Sequence, residues 1–209
     1  MAKRKKLSRP AKIFWGLLAA VLIAITGIWG YNRYMEKKKV DNLYKHGFKL
    51  LEEQTALYIK ENYSGISKIE FSPIFIDGDG KFTMLTANVV PVVYDENGNS
   101  ALLGMPTEKE DQESYGLLEG IYALDFDVWK NDVVYLSDSA SGKEIDVSKY
   151  DYLPDEAKLS ESRKIDENMA ALIDEGQLQD IEKSSEGSPK AEIEYNVEIE
   201  KGEYWKWQR

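Results

Sequence analysis

The chain has 209 residues, of which 43% are apolar and 31% charged, with 27 Lys and Arg against 37 Asp and Glu. It has no Cys and one His, which excludes disulfides, thiolate metal sites, a Cys nucleophile and a multi-histidine metal centre. The net charge of −10 is unevenly distributed: residues 1–31 hold six bases and no acid, so the remainder, with 21 bases and 37 acids, carries −16.

Residues 13–31 read IFWGLLAAVLIAITGIWGY, in which Thr26 is the only clearly polar residue before the final Tyr. A helix of this length spans roughly 28 Å, close to the hydrocarbon thickness of a bilayer. Trp15 and Trp29 lie near its two ends, where aromatic rings favour lipid headgroups. We therefore predict an uncleaved transmembrane helix at 13–31, with a cleaved signal peptide and a buried core helix as the alternatives.

Basic residues lie on both sides of this segment, so they give only a small bias in orientation. The compact KRKK start and the ease with which long downstream domains are translocated favour an N-terminus inside the cell. The predicted organisation is a cytoplasmic basic tail at 1–12, the transmembrane helix at 13–31 and an extracytoplasmic acidic α+β domain at 32–209. The predicted location is the cell membrane, with a single pass.

An amphipathic helix is predicted over residues 36–61, with Lys and Glu on the face opposite the apolar residues. It should end at Asn62-Tyr63-Ser64-Gly65, where Gly can supply a left-handed cap. The apolar positions recur at spacings of three, four and seven and are Val40, Leu43, Tyr44, Phe48, Leu51, Tyr58 and Ile59.

Residues 66–105 alternate in the manner of strands and predict an antiparallel meander packed on this helix. Pro73 and Pro91 interrupt the alternation, while Asn97-Gly98 is a strong hairpin signal. A solvated acidic loop is predicted at 106–114, before further apolar segments at 117–129 and 133–136.

A second helix should end near Gly176, because its apolar residues have helical spacing. Residues 182–190 have the composition of a linker, and residues 191–200 alternate as a half-buried strand with an acidic exposed face. The predicted fold class is α+β, in which a transmembrane helix precedes an amphipathic helix on a mainly antiparallel sheet, with a further C-terminal helix and strand.

Motifs for chemistry are weak. His46 has no Ser-His-Asp spacing around it and is interpreted as a packed or solvated residue. Asp77-Gly-Asp79 and Asp95-x-Asn97-x-Asn99 resemble calcium loops but lack the closing acid, which favours turns. Residues 139–143 lack the leading Gly and the final Ser or Thr of a phosphate loop.

Asp125 and Asp127 would lie on one face of a strand, as a carboxylate pair for hydrolysis requires, but 37 acids make such a pair expected by chance. The charge of −16 after residue 31 disfavours nucleic acid as a partner. Tyr204, Trp205 and Trp207 either finish a strand that buries one ring and exposes the other, or form an aromatic contact patch, and we favour mostly structural burial. No catalytic, cofactor-binding or metal-binding residue is predicted, no cofactor is expected, and the partner-binding residues stay unassigned.

The basic start, the apolar segment, the helix ending LYIKENYSGI at 57–66 and the strands KIEFSPIF and KFTMLTANVV resemble small membrane-anchored envelope proteins of Gram-positive bacteria. Some of these are similar to TipC-type immunity proteins, which face outward against LXG toxins exported by type VII secretion. The resemblance implies a toxin-inhibiting role, and it assigns no functional residue.

These observations favour a membrane-anchored, non-enzymatic extracytoplasmic binding protein whose partner has a basic surface, and the resemblance implies that it is an immunity protein that neutralises a secreted antibacterial toxin. The alternative is a structural or regulatory envelope protein that binds wall-synthesis or membrane partners. A third hypothesis is a polysaccharide hydrolase that uses Asp125 and Asp127.

Overall fold

The computed structural model describes residues 9–78, 86–104, 121–125, 133–138 and 143–207, and these form an α+β architecture with a long helix and several sheets. The chain divides into two compact units between Asn42 and Leu43. The elements in chain order are α1 Arg9–Asn62, β1 Tyr63–Ser64, β2 Ile66–Phe71, β3 Ile74–Asp77, β4 Thr86–Asn88, β5 Pro91–Asp95, β6 Ser100–Leu102, β7 Ile121–Asp125, β8 Val133–Asp138, β9 Lys143–Asp146, α2 Arg163–Asp174, β10 Glu182–Lys183, β11 Glu192–Glu194 and β12 Ile199–Lys201.

The prediction of a transmembrane helix at 13–31 is wrong. Among the residues that the structure describes, no helix is both long and apolar enough to cross a bilayer, which requires about 20 consecutive apolar residues. Residues 13–31 instead belong to the 54-residue helix α1, which continues without a break through Arg33 and Lys37. The predicted fold class is corrected accordingly, since it contained this segment.

In the second unit, α1 is more deeply buried than its amphipathic pattern predicts. Every residue from 50 to 56 is buried, including Glu52, Glu53, Gln54 and Thr55. Seven consecutive residues cover almost two turns, so the helix is enclosed on all sides there. The expectation that Glu side chains occupy an exposed face is therefore wrong for Glu52 and Glu53. The helix ends at Asn62, and Gly65 has a φ of 83° shortly after it.

The strands form four sheets in the described part of the chain, where the sequence predicted one. Their strand orders are β11-β2-β5-β6, β12-β3-β4, β7-β8-β9 and β1-β10. Pairing is antiparallel except where β11 lies beside β2 and β12 lies beside β3, both in parallel register. The predicted hairpin at Asn97-Gly98 is confirmed, because β5 and β6 pair in antiparallel register across it and Gly98 has a φ of 87°.

The helix predicted before Gly176 is α2, whose first turn is capped by Ser162 through the N–H of Ile165. The segment 182–190, by contrast, does not behave as a linker. The amide of Ser188 donates to the carbonyl of Lys60 at 2.7 Å, and its buried hydroxyl donates to the carbonyl of Tyr63 at 2.8 Å. The segment therefore packs against the end of α1.

The hydrophobic core lies between α1, α2 and the inner faces of the strands. Its most completely buried large side chains are Phe48, Phe71, Leu50, Ile59, Ile69, Ile74, Leu103, Leu136, Ile165, Met169 and Leu178.

Candidate partner-binding surface

The predicted acidic strand at 191–200 is divided in the structure. It forms β11 and β12, which are edge strands of two different sheets. Four glutamates of this segment are exposed, and the segment 191–200 contains no base. We call these four residues, Glu192, Glu194, Glu198 and Glu200, the acidic edge.

Apolar side chains of the same segment anchor the acidic edge. Ile193, Val197 and Ile199 are partly buried against the core. The ring of Tyr195 stacks on Phe71 with a centroid separation of 6.2 Å. Because successive side chains of a strand point to opposite faces, this packing leaves the glutamates at the surface, as the alternation predicted.

Hydrogen bonds also hold the segment to α1 and β3. Lys60 Nζ on α1 donates to the carbonyl of Ala191 at 2.7 Å. The amide of Asn196 donates to Glu52 Oε2 at 2.9 Å, and the amide of Ile74 donates to the carbonyl of Glu198 at 2.7 Å. The segment is thus fixed along its length, so partner binding would cost little ordering of the backbone.

One lysine of β2 partly balances the charge of the acidic edge. Lys68 Nζ lies 2.7 Å from Glu194 Oε2 and 3.0 Å from Glu70 Oε2. Hydrogen bonds to Glu194 and then to Glu70 raise the pKa of Lys68, so it stays charged. The hydroxyl of Tyr94 also donates to Glu70 at 3.1 Å. Since Glu70 shares this lysine with Glu194, the region keeps a net negative charge.

A second polar cluster lies where α1 and α2 meet. Asp166 of α2 accepts hydrogen bonds from the hydroxyls of Tyr58 and Tyr63, and Lys183 Nζ lies 2.5 Å from its Oδ2. Burial, followed by Asp166, raises the pKa of Tyr63. Tyr63 therefore remains a protonated donor, and this cluster joins elements rather than supplying a base.

The residues weighed as motifs for chemistry do not come together as a catalytic group in the part of the chain that is described. Those residues contain no set of three His, Asp or Glu able to hold a metal ion. His46 is half-buried, and within the described ranges its Nε2 has no hydrogen-bond partner.

The turn at Asp95 is confirmed. Its carboxylate accepts hydrogen bonds from the backbone amides of Asn97, Asn99 and Gln179 and from the side-chain amide of Asn99. These four donors occupy the oxygens that a calcium ion would need.

Several predictions fall outside the described residues. These are Asp79, Asp127, the loop at 106–114 and most of the segment 139–143. Asp77 and Asp125 are the last residues of β3 and β7.

The aromatic C-terminal segment is partly packed. Trp207 is half-buried and its ring lies 6.4 Å from that of Phe75, which is buried. Tyr204 is also half-buried. The strand end that we favoured for these residues is wrong, because Tyr204–Lys206 form a short 3-10 helix.

Sequence reasoning missed Glu52. The signal in the sequence is that the polar run Glu52–Thr55 lies between the apolar pairs Leu50–Leu51 and Ala56–Leu57. No known protein family, curated protein or solved structure matches this chain.

Proposed function

We propose that this protein is a non-enzymatic binding protein for a basic protein partner, and that the acidic edge is its contact surface. The observation that carries the proposal is the exposure of four glutamates on a segment that contains no base and is held by packing and hydrogen bonds.

Charge and rigidity both favour this role. A surface of one sign speeds encounter with an oppositely charged partner and disfavours partners of like charge. The charge of −16 after residue 31 acts in the same direction at longer range.

In cellular terms, we propose that the protein is an immunity protein that acts outside the cytoplasm and covers the basic active surface of a secreted antibacterial toxin. The resemblance in residues 57–66 and in the following strands supports this role. Inhibition by coverage requires a stable surface and no chemistry of its own, which suits a chain without Cys and with one His.

The test is a protection assay in a sensitive strain that makes and exports a secreted antibacterial toxin, chosen from candidate toxin genes near the gene for this protein. Wild-type protein should restore growth. The combined variant Glu192→Gln, Glu194→Gln, Glu198→Gln and Glu200→Gln removes four charges and should restore growth poorly, with at least about tenfold weaker toxin binding, because several favourable charge pairs are lost.

The matched control removes four exposed acids from other segments: Glu96→Gln, Asp151→Asn, Asp174→Asn and Glu182→Gln. This variant should protect like the wild type. Equal loss in both variants would show that only total charge matters, and failure of the wild-type protein to protect would overturn the immunity role.

A structural or regulatory envelope protein is the second candidate, and α1 provides its support. In the first unit, α1 exposes large apolar side chains that a protein partner could cover, among them Leu22, Ile23, Ile25, Ile28 and Trp29. A photo-crosslinking residue at Ile28 would capture a partner under this hypothesis, whereas one at Glu198 would capture it under the first.

A further inference from the structure

Glu52 is a buried acid that bonds to the segment carrying the acidic edge. Its side chain is fully buried in the middle of α1, and Oε2 accepts the amide of Asn196 at 2.9 Å. For Oε1, which is equally buried, the described residues supply no hydrogen-bond donor. One oxygen of this carboxyl group therefore bonds to the segment, while the other has no donor that would stabilise a negative charge on the group.

The charges around Glu52 do not favour its ionised form. Glu53 follows it on α1, and Tyr195 faces it from the acidic-edge segment. The nearby cation Lys49 is paired with Glu53, at 3.5 Å from its Oε1. Glu53 also accepts the amide of Leu153 at 2.6 Å, so its own carboxylate is compensated where that of Glu52 is not.

Burial raises the pKa of Glu52 to about 8, although the Asn196 amide lowers it, and Glu53 adds a smaller increase. The same environment raises the pKa of Tyr195 to about 12, first through burial and then through Glu53 and Glu52. The closed segment thus favours the protonated acid, whereas a detached segment would let Glu52 ionise in water.

We infer that Glu52 makes attachment of the acidic edge to α1 dependent on protons: the neutral acid favours the attached state of residues 191–201, and loss of its proton shifts the equilibrium towards the detached state. The use of this release to control partner binding rests on the proposed function; the release itself does not. Attachment is tightest in mildly acidic conditions and weakens as the pH rises through neutrality.

The direction of this pH dependence follows from the thermodynamic linkage between proton binding and segment opening. Opening the segment lowers the pKa of Glu52 from about 8 towards its ordinary value of 4.5, so opening releases a proton at any pH between these values. Opening therefore becomes more favourable by up to about tenfold per pH unit in that interval and stops changing above it.

Hydrogen exchange at the Asn196 amide of the full chain tests this, after correction for the intrinsic pH dependence of exchange. Protection at Asn196 should fall by up to about tenfold per pH unit from about pH 5 to pH 8 and then level off. Protection at Met169, a buried residue of α2, should persist and show that the protein stays folded.

Glu52→Gln keeps an acceptor for Asn196 but cannot ionise, so its corrected protection should not change with pH. Glu53→Gln is the matched control and should keep the pH dependence, with its upper end at a slightly lower pH, because Glu53 makes only the smaller contribution to the raised pKa of Glu52. An equal pH dependence in Glu52→Gln would overturn the inference.

If Glu52→Gln does not fold, titration of the Glu52 carboxyl carbon by NMR in the wild-type protein decides. A midpoint near 8, together with falling protection at Asn196, supports the inference. A midpoint near 4.5, or protection independent of pH, overturns it. Neither measurement involves a partner, so failure here is distinct from failure of the proposed function.

Discussion

The hydroxyl of Tyr63 donates a hydrogen bond of 2.7 Å to Asp166 Oδ1, which connects the residue that follows α1 to the first turn of α2. Tyr63 is only 3% exposed, so water replaces this bond poorly. We expect Tyr63→Phe to lower the free energy of unfolding by about 1–2 kcal/mol, because Asp166, which is 26% exposed, loses one of its donors and that donor is itself buried. Urea denaturation measures the change.

Tyr152→Phe is the control for Tyr63→Phe, because Tyr152 is 73% exposed and its ring lies over Lys49 in either form. It should change stability very little. A Tyr63→Phe protein as stable as this control would contradict the structural role of the Tyr63–Asp166 bond.

Asp95 should make the protein sensitive to acid. Burial of its carboxyl group acts to raise the pKa, but hydrogen bonds from Asn99, Gln179 and Asn97 outweigh it and hold the pKa below its ordinary value. A carboxylate with a lowered pKa contributes stability that is present above the ordinary pKa of about 4 and is lost as the pH falls through the folded value.

We therefore expect Asp95→Asn to lower the free energy of unfolding by about 2–4 kcal/mol at pH 7, because an amide cannot accept all four donors. Below about pH 4 the stability of this variant should fall less steeply than that of the wild type. Urea titrations at several pH values test this. The exposed neighbour in the same turn supplies the control, since Glu96→Gln should leave both the stability and its acid dependence unchanged.

Gly187 tests whether the segment 182–190 is packed. Its φ is 60°, and a Cβ there would lie 2.5 Å from the carbonyl oxygen of Lys60. We expect Gly187→Ala to lower the free energy of unfolding by at least about 2 kcal/mol, through backbone strain together with this contact.

Gly98→Ala separates the two causes, because Gly98 has a φ of 87° but nothing within 4 Å of the same position. It should cost only about 1 kcal/mol, from the positive φ alone. Equal costs at the two glycines would mean that the segment does not contact α1 closely.

The ion pair between Lys68 and Glu194 should contribute only weakly to the free energy of unfolding. Their pair is partly exposed, so a double-mutant cycle with Lys68→Gln and Glu194→Gln should give about 0.2–1 kcal/mol. High salt should reduce this coupling. Lys190→Gln, at an exposed position, serves as the reference variant, and coupling that persists unchanged in high salt would contradict an electrostatic origin.

Local signals in the sequence predicted the features that depend on neighbouring residues. The end of α1 at Asn62, the hairpin at Asn97-Gly98 and the end of α2 before Gly176 all rest on turn or cap chemistry within a few residues. The strand alternation at 191–200 likewise predicted that its four glutamates are exposed, because that depends on strand geometry. It was wrong for Tyr195, which it placed on the buried face and which is 43% exposed.

Features that depend on distant partners could not be predicted. The alternation in β11 defines a face but not a neighbour, so the parallel pairing with β2 was not visible. Composition suggested a linker at 182–190, whereas the hydroxyl of Ser188 and the close approach of Gly187 fasten it to α1. The apolar composition, length and terminal aromatic residues of 13–31 predicted a bilayer crossing, and they could not show how this segment continues into the longer helix.

The polar side chains in the buried part of α1 find their partners far along the chain, and this bears on the order of folding. Glu53 accepts the amide of Leu153, 100 residues later, and Glu52 accepts that of Asn196, 144 residues later. Contacts at such separations slow folding, because a long loop must close before each bond forms. During synthesis, Glu52 and Glu53 can therefore form these two bonds only after most of the chain has been made.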